Sequence, residues 1–285
     1  MTNTNKKNVI LVPVDFSDAS EIAIHSAVEL AKVFNFEIVL LNIFENTPVD
    51  EAARKQMQSQ FVYRDILSRL QIEADNIINN DKIKAHFLIK EGNIFDHIGK
   101  AANEVGANFM VMGTHGVKGV QHITGSYAAK VISNTPVPVI VVQKKSNYKS
   151  INNIVVPFDL TKDTKVLEEW AIFYGKKFNA TIHIVIDDKK NNYSLMKEES
   201  TLPQIRKSIK ENNINHTFKT IPSGDGDFIK HFLNYSSEAG ADLIMIEQKK
   251  DIDEYIIGKD EQTIITNPHQ TPVFCLNPVN NPVPE

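Results

Sequence analysis

The strongest constraint on this chain is that its pattern occurs twice. Ile10-Leu-Val-Pro13-Val-Asp15-Phe16 returns as Ile154-Val-Val-Pro157-Phe-Asp159-Leu160, 144 positions later. Gly106-Ala-Asn-Phe-Met-Val-Met112 returns as Gly240-Ala-Asp-Leu-Ile-Met-Ile246, and Val137-Pro-Val139 as Thr271-Pro-Val273, both 134 positions later. Similarity at constant offset over such a length signals duplication of a whole domain. The offset falls by ten, which predicts about ten residues lost from the second copy near residue 190. A polar break, Lys144 to Ser150, separates the copies. The chain of 285 residues is long enough for two ordinary domains, here 1–147 and 148–285.

Within the first copy, apolar runs alternate with helical periodicity. Val9 to Val12 is a continuous apolar run ended by Pro13 and Asp15, as a strand buried on both faces requires. Ser17 or Asp18 is a fitting N-cap for a helix over Glu21 to Val33, with Ile24, Ala27, Val28 and Ala31 on one face. Strands follow at Glu37–Ile43, Ala85–Lys90, Phe109–Met112 and Val137–Val142. Helices are read at Val62–Ile78 and up to Val105, where Gly106 is a stop signal. Thr47 to Gln60 reads as a polar, exposed connection into the second of these helices. Strands alternating with helices imply an α/β fold, a parallel sheet covered on both faces.

Between Met112 and the helix begun by Gly125-Ser126 lies a loop with Gly113, Gly116 and Gly119. Glycine lets the backbone approach a ligand closely. N–H groups around a helix N-terminus favour an anion there. Ser126 adds a hydroxyl donor. The arrangement suits a phosphate cradle, with a plain surface loop as the alternative.

These residues resemble the universal stress protein family. Its nucleotide-binding members carry Gly-x2-Gly, nine further residues, then Gly-Ser or Gly-Thr. Here the motif is Gly113-Thr-His-Gly116 followed by Gly125-Ser126, with eight residues between Gly116 and Gly125. The resemblance covers about residues 8–143 and, more weakly, 152–277. It implies two Rossmann-like domains of the adenine nucleotide alpha hydrolase type, each an open five-stranded parallel sheet. It also implies ATP, with Mg²⁺, in the first domain. The positions matching Pro13, Asp15, Ile43, Met112, Gly113, Gly116, Gly125, Ser126 and Tyr127 would line it. Asp15 also suits a simple turn and cap role, and its copy Asp159 persists in the second domain.

The second copy has a different loop. Glu247, Lys249, Lys250 and Asp253 stand where Gly113, His115, Gly116 and Gly119 stand, and Lys259-Asp260 replaces Gly125-Ser126. Side chains at these positions obstruct a backbone approach, and the added carboxylates repel phosphates. The second domain is therefore expected to keep the fold and lack the site.

Composition narrows the function classes. A net charge of −4 gives no basic footprint for nucleic acid. The single cysteine, Cys275, excludes an internal disulfide and reads as a buried thiol. No run approaches a membrane span and no signal peptide is read, so the expected location is the cytoplasm. No metal-ligand spacing, P-loop or nucleophile elbow occurs, and no catalytic residue is assigned. The reading is a nucleotide-binding regulatory or stress-response protein. The alternatives are a slow ATP hydrolase or phosphotransferase on the same scaffold, and a scaffold without nucleotide. Family members of one domain commonly pair through the last strand. Val137–Val142 and Val273–Leu276 are therefore expected to join the copies as an internal pseudo-dimer, with room for a further homodimer.

Overall fold

The computed structural model describes residues 8–45, 52–114, 125–144, 148–158, 165–187, 195–221, 228–251, 254–277 and 283. The chain divides into two compact units, residues 1–145 and 146–285.

The first unit runs β1 (Val9–Pro13), α1 (Asp18–Phe34), β2 (Glu37–Phe44), α2 (Ala52–Asn76), β3 (Ala85–Glu91), α3 (Ile94–Val105), β4 (Ala107–Gly113), α4 (Gly125–Ser133) and β5 (Val139–Val142). A π-helical turn, Ile77–Asp81, closes α2. The strands are parallel in the order β3-β2-β1-β4-β5, so the order reverses between β1 and β4. α1 and α2 share one face: Lys32 pairs with Asp81 at 2.8 Å. α3 and α4 share the other, where the Phe95 and Tyr127 ring centroids lie 5.0 Å apart. The core includes a ring cluster of Phe34, Phe36 and Phe109 with centroids 5.6–6.0 Å apart. Such contacts are worth roughly 0.5–1.5 kcal/mol each beyond burial.

Local chemistry fixes the element ends. Ser17 has extended backbone and its side chain accepts from Ser20 N, capping α1. Asn35, in the left-handed region at φ 58°, ends the same helix by donating to the Ala31 carbonyl. Asn93 caps α3 by accepting from Phe95 N at 2.9 Å. Gly106, at φ 63°, closes it.

The second unit repeats the plan with β6 (Asn153–Phe158), α5 (Lys165–Phe178), β7 (Thr181–Asp187), α6 (Leu195–Glu211), β8 (His216–Ile221), α7 (Phe228–Glu238), β9 (Leu243–Glu247), β10 (Lys249–Asp251), β11 (Glu254–Ile256), α8 (Lys259–Ile265) and β12 (Val273–Leu276). Its parallel order is β8-β7-β6-β9-β12. Trp170 is fully buried and packs on Phe274 at 5.1 Å. Cys275 is buried, and burial pushes its thiol well above the ordinary range, with the Glu261 carboxylate adding to the shift. Each unit is thus an α/β domain with a parallel sheet between helical layers, as the sequence implies.

Several boundaries differ from the sequence reading. α2 begins at Ala52, so much of the polar stretch Thr47–Gln60 is helix. α1 begins three residues before Glu21. β4 extends to Gly113, which pairs with Val142, so this glycine belongs to the strand and not the loop. β5 starts at Val139, because Val137 and Pro138 lead into it. Strand registers also relocate the shortening of the second copy. Ile38 pairs with Ala85, and Ile182 with His216, so the offset drops from 144 to 131 between those strands. It recovers to 134 by Gly240. The shortening falls on one helix: Ala52–Asp81 in the first unit corresponds to Leu195–Glu211 in the second.

Candidate functional site

A cavity of about 470 Å³ opens in the first unit at the carboxyl ends of β1, β2 and β4, where the strand order reverses. Open α/β sheets hold ligands at this place, because the two crossovers diverge there and leave a crevice.

β1 delivers Pro13 and Asp15 to the cavity. One carboxylate oxygen of Asp15 accepts from Ser17 N at 3.0 Å and from Ser17 Oγ at 2.5 Å. Phe16 between them is in the left-handed region, φ 62°, which costs a non-glycine residue energy. The Asp15–Ser17 bonds hold that turn and lead the chain into α1. Asp15 therefore performs the turn role that the sequence left as its alternative, and it still lines the cavity.

β2 delivers Leu41 and Ile43 by strand alternation, and Phe44 and Glu45 line the cavity at its exit. Asn42, between Leu41 and Ile43, is buried and donates through Nδ2 to the Val14 carbonyl at 2.7 Å, tying β2 to the exit of β1. β4 delivers Met112 and Gly113. A Cβ on Gly113 would lie 2.0 Å from the Ala19 carbonyl oxygen. The first turn of α1 crosses the end of β4 too closely for any side chain. That contact explains Gly113 without a ligand.

α3 supplies an apolar wall of Ile94, Phe95 and Ile98. α4 supplies Tyr127, half-buried at the rim, and the Lys130 ammonium lies 4.1 Å from the Phe95 ring centroid. Burial raises the Tyr127 phenol above its ordinary range, with the carboxylates of Glu45 and Asp15 adding to the shift. Both carboxylates thus act on the same rim.

Of the nine residues singled out from sequence, six line this cavity: Pro13, Asp15, Ile43, Met112, Gly113 and Tyr127. Gly125 and Ser126, the two residues that precede Tyr127, open α4. Gly116 lies outside the described residues, as do His115, Gly119 and His122. Sequence reasoning missed Glu45, Phe95 and Ile98. The helical spacing of Phe95 and Ile98 was an available signal, and Glu45, just past the end of β2, had none.

The second unit differs at matching positions. Phe228 and Phe232 replace Ile94 and Ile98, and their rings stack with centroids 6.0 Å apart. Asp187 replaces Ile43, Glu247 replaces Gly113, and Glu261, which is buried, replaces Tyr127. An antiparallel ribbon, β10 with β11, stands where the first unit has its glycine loop.

Residues 7–143 match the profile of the universal stress protein family. The chain is 26% identical over 156 residues to a universal stress protein of Methanocaldococcus jannaschii, covering 48% of this chain and 96% of that one. A second from that organism is 29% identical over 143 residues, covering 47% and 81%. A crystal structure of a universal stress protein from Archaeoglobus fulgidus is similar over 95% of this chain and 99% of its own, with a TM-score of 0.74 and 21% identity. At that identity the likeness is one of fold, and it spans both units. A universal stress protein solved in complex with cAMP is matched over 49% of this chain and 99% of its own, at 20% identity and a TM-score of 0.39. The first unit of the chain, residues 7–143, therefore carries a universal stress protein domain.

Proposed function

We propose that the first unit binds one adenine nucleotide, ATP with Mg²⁺, and that the protein is a nucleotide-binding regulator of the stress-response kind. The observation that carries this reading is the convergence of Pro13, Asp15, Ile43, Met112, Gly113 and Tyr127 on one cavity at the strand-order reversal. Its volume, about 470 Å³, falls inside the roughly 300–1,000 Å³ range of small-molecule sites. The apolar wall of Ile43, Phe95 and Ile98 suits a flat base. The glycine-rich segment before α4 and the N-terminus of that helix suit phosphates. Asp15 fits a bound cation, because a carboxylate at the rim opposes a free triphosphate. Mg²⁺ held by the phosphates and Asp15 would offset that repulsion.

The second unit is proposed not to bind nucleotide in the same way. Its paired phenylalanines, its carboxylates at the matching positions and its ribbon support this. A scaffold without nucleotide has one observation on its side: Gly113 and Asp15 both have reasons internal to the fold.

Calorimetry of the full chain with ATP and Mg²⁺ tests the proposal, with cAMP as a competitor and mass spectrometry of any ligand released from the purified protein. The expected result is one site per chain. Two equivalent sites would overturn the assignment to the first unit, and no binding at millimolar ATP would favour the scaffold.

A further inference from the structure

We propose that Glu45 is a specificity residue that reads the exocyclic amino group of a 6-aminopurine; the inference rests on the nucleotide reading above. β2 and β4 are two strands apart in the sheet, on either side of β1. Neighbouring strands are about 4.8 Å apart, so the ends of β2 and β4 are separated by roughly 10 Å. That is the span of a nucleoside laid across the cavity. With phosphates at the β4 and α4 end, the base reaches the end of β2. There the cavity is lined by Ile43, Phe44 and Phe95, and the Glu45 carboxylate and the Tyr127 hydroxyl are its polar groups.

The carboxylate is held in place. Asn93 accepts from Phe95 N through its side-chain oxygen and donates from Nδ2 to Glu45 Oε1 at 3.0 Å. The same asparagine thus caps α3 and fixes the carboxylate against the wall that α3 forms. Oε2 makes no hydrogen bond among the described residues. An ionised carboxylate only accepts hydrogen bonds. It therefore attracts an edge that donates, such as the 6-amino group of adenine. Facing the 6 position, it repels the oxo group of hypoxanthine, whose lone pairs would point at it.

The test compares ATP with inosine triphosphate, which carries an oxo group at that position and a proton on N1, by calorimetry on the full chain with Mg²⁺. The expected outcome is ATP bound at least about tenfold tighter, as one charge-assisted hydrogen bond allows. In Glu45→Gln the amide can donate to a 6-oxo group, so the ratio should fall to within about threefold at an unchanged melting temperature. Asn93→Ala should narrow the ratio as well, by releasing the carboxylate. Equal binding of both nucleotides to the wild-type chain, or an unchanged ratio in Glu45→Gln, would overturn the role of Glu45 and leave the nucleotide site standing. Binding of neither nucleotide would overturn the nucleotide reading itself, and this inference with it.

Discussion

At the scale of single residues, two glycines of one motif separate cleanly. Gly113 is required by the fold, because α1 brings the Ala19 carbonyl to within 2.0 Å of where its Cβ would be. Backbone cannot yield as a flexible side chain does, so Gly113→Ala should cost on the order of 1–3 kcal/mol. Gly125 opens α4 at the proposed phosphate end, and its replacement should act on the ligand instead. The expected outcome is a melting temperature lowered in Gly113→Ala and unchanged in Gly125→Val, with ATP binding lost in the latter. Thermal melts and calorimetry on both variants check it. If Gly125→Val binds ATP with wild-type affinity, the cradle lies elsewhere.

At the scale of elements, the two copies hold their sheets together by related means. Asn108 sits at a register shift between β1 and β4, and its Oδ1 accepts from Val9 N at 2.9 Å. Its counterpart Asp242 accepts from Asn152 N and Asn153 N at 2.7 and 3.0 Å. The second unit adds a polar cross-link of its own. His183 of β7 meets Asn153 of β6 at 3.0 Å, Thr217 of β8 at 3.0 Å and Tyr235 of α7 at 3.1 Å. The Asn153 side-chain oxygen can only accept, so His183 Nε2 carries a proton and, in the neutral ring, Nδ1 accepts from the hydroxyls. Burial lowers the pKa of this histidine from its ordinary 6.5. A group depressed in the folded state contributes stability that is present above the unfolded pKa and is lost as pH falls through the folded one. The denaturant midpoint should therefore fall more steeply below about pH 6.5 in the wild-type chain than in His183→Gln. Parallel urea titrations at pH 7.5 and 5 measure this, and equal slopes in both proteins would show that His183 carries none of the effect.

At the scale of the whole molecule, β5 ends the strand order of the first unit and β12 that of the second. Both are apolar throughout, Val139–Val142 and Val273–Leu276, and an open edge of that kind invites aggregation. The opposite edge, β3, carries Lys90 and is flanked by Lys84, charges that discourage edge pairing. The proposal that β5 and β12 pair, making an internal pseudo-dimer, gives the second unit a purpose without a ligand: it is the permanent partner of the first. Residues 1–147 expressed alone should then self-associate or aggregate, as light scattering coupled to size exclusion would report. A stable monomer of that fragment would overturn the proposal.

The sequence by itself determined the duplication, the order of strands and helices and the parallel sheets. Apolar parity and caps such as Ser17, Asn93 and Gly106 act over a few residues, so they can be read without the fold. It also marked six residues that the structure gathers at one cavity. Only the tertiary structure decided why Gly113 is glycine, because Ala19 reaches it from another element. It likewise turned Glu45 and Phe95 toward the cavity, joined His183 to three elements and assigned the missing residues to α6. Each of these depends on how crossovers pack segments far apart in the chain, and no local pattern records that.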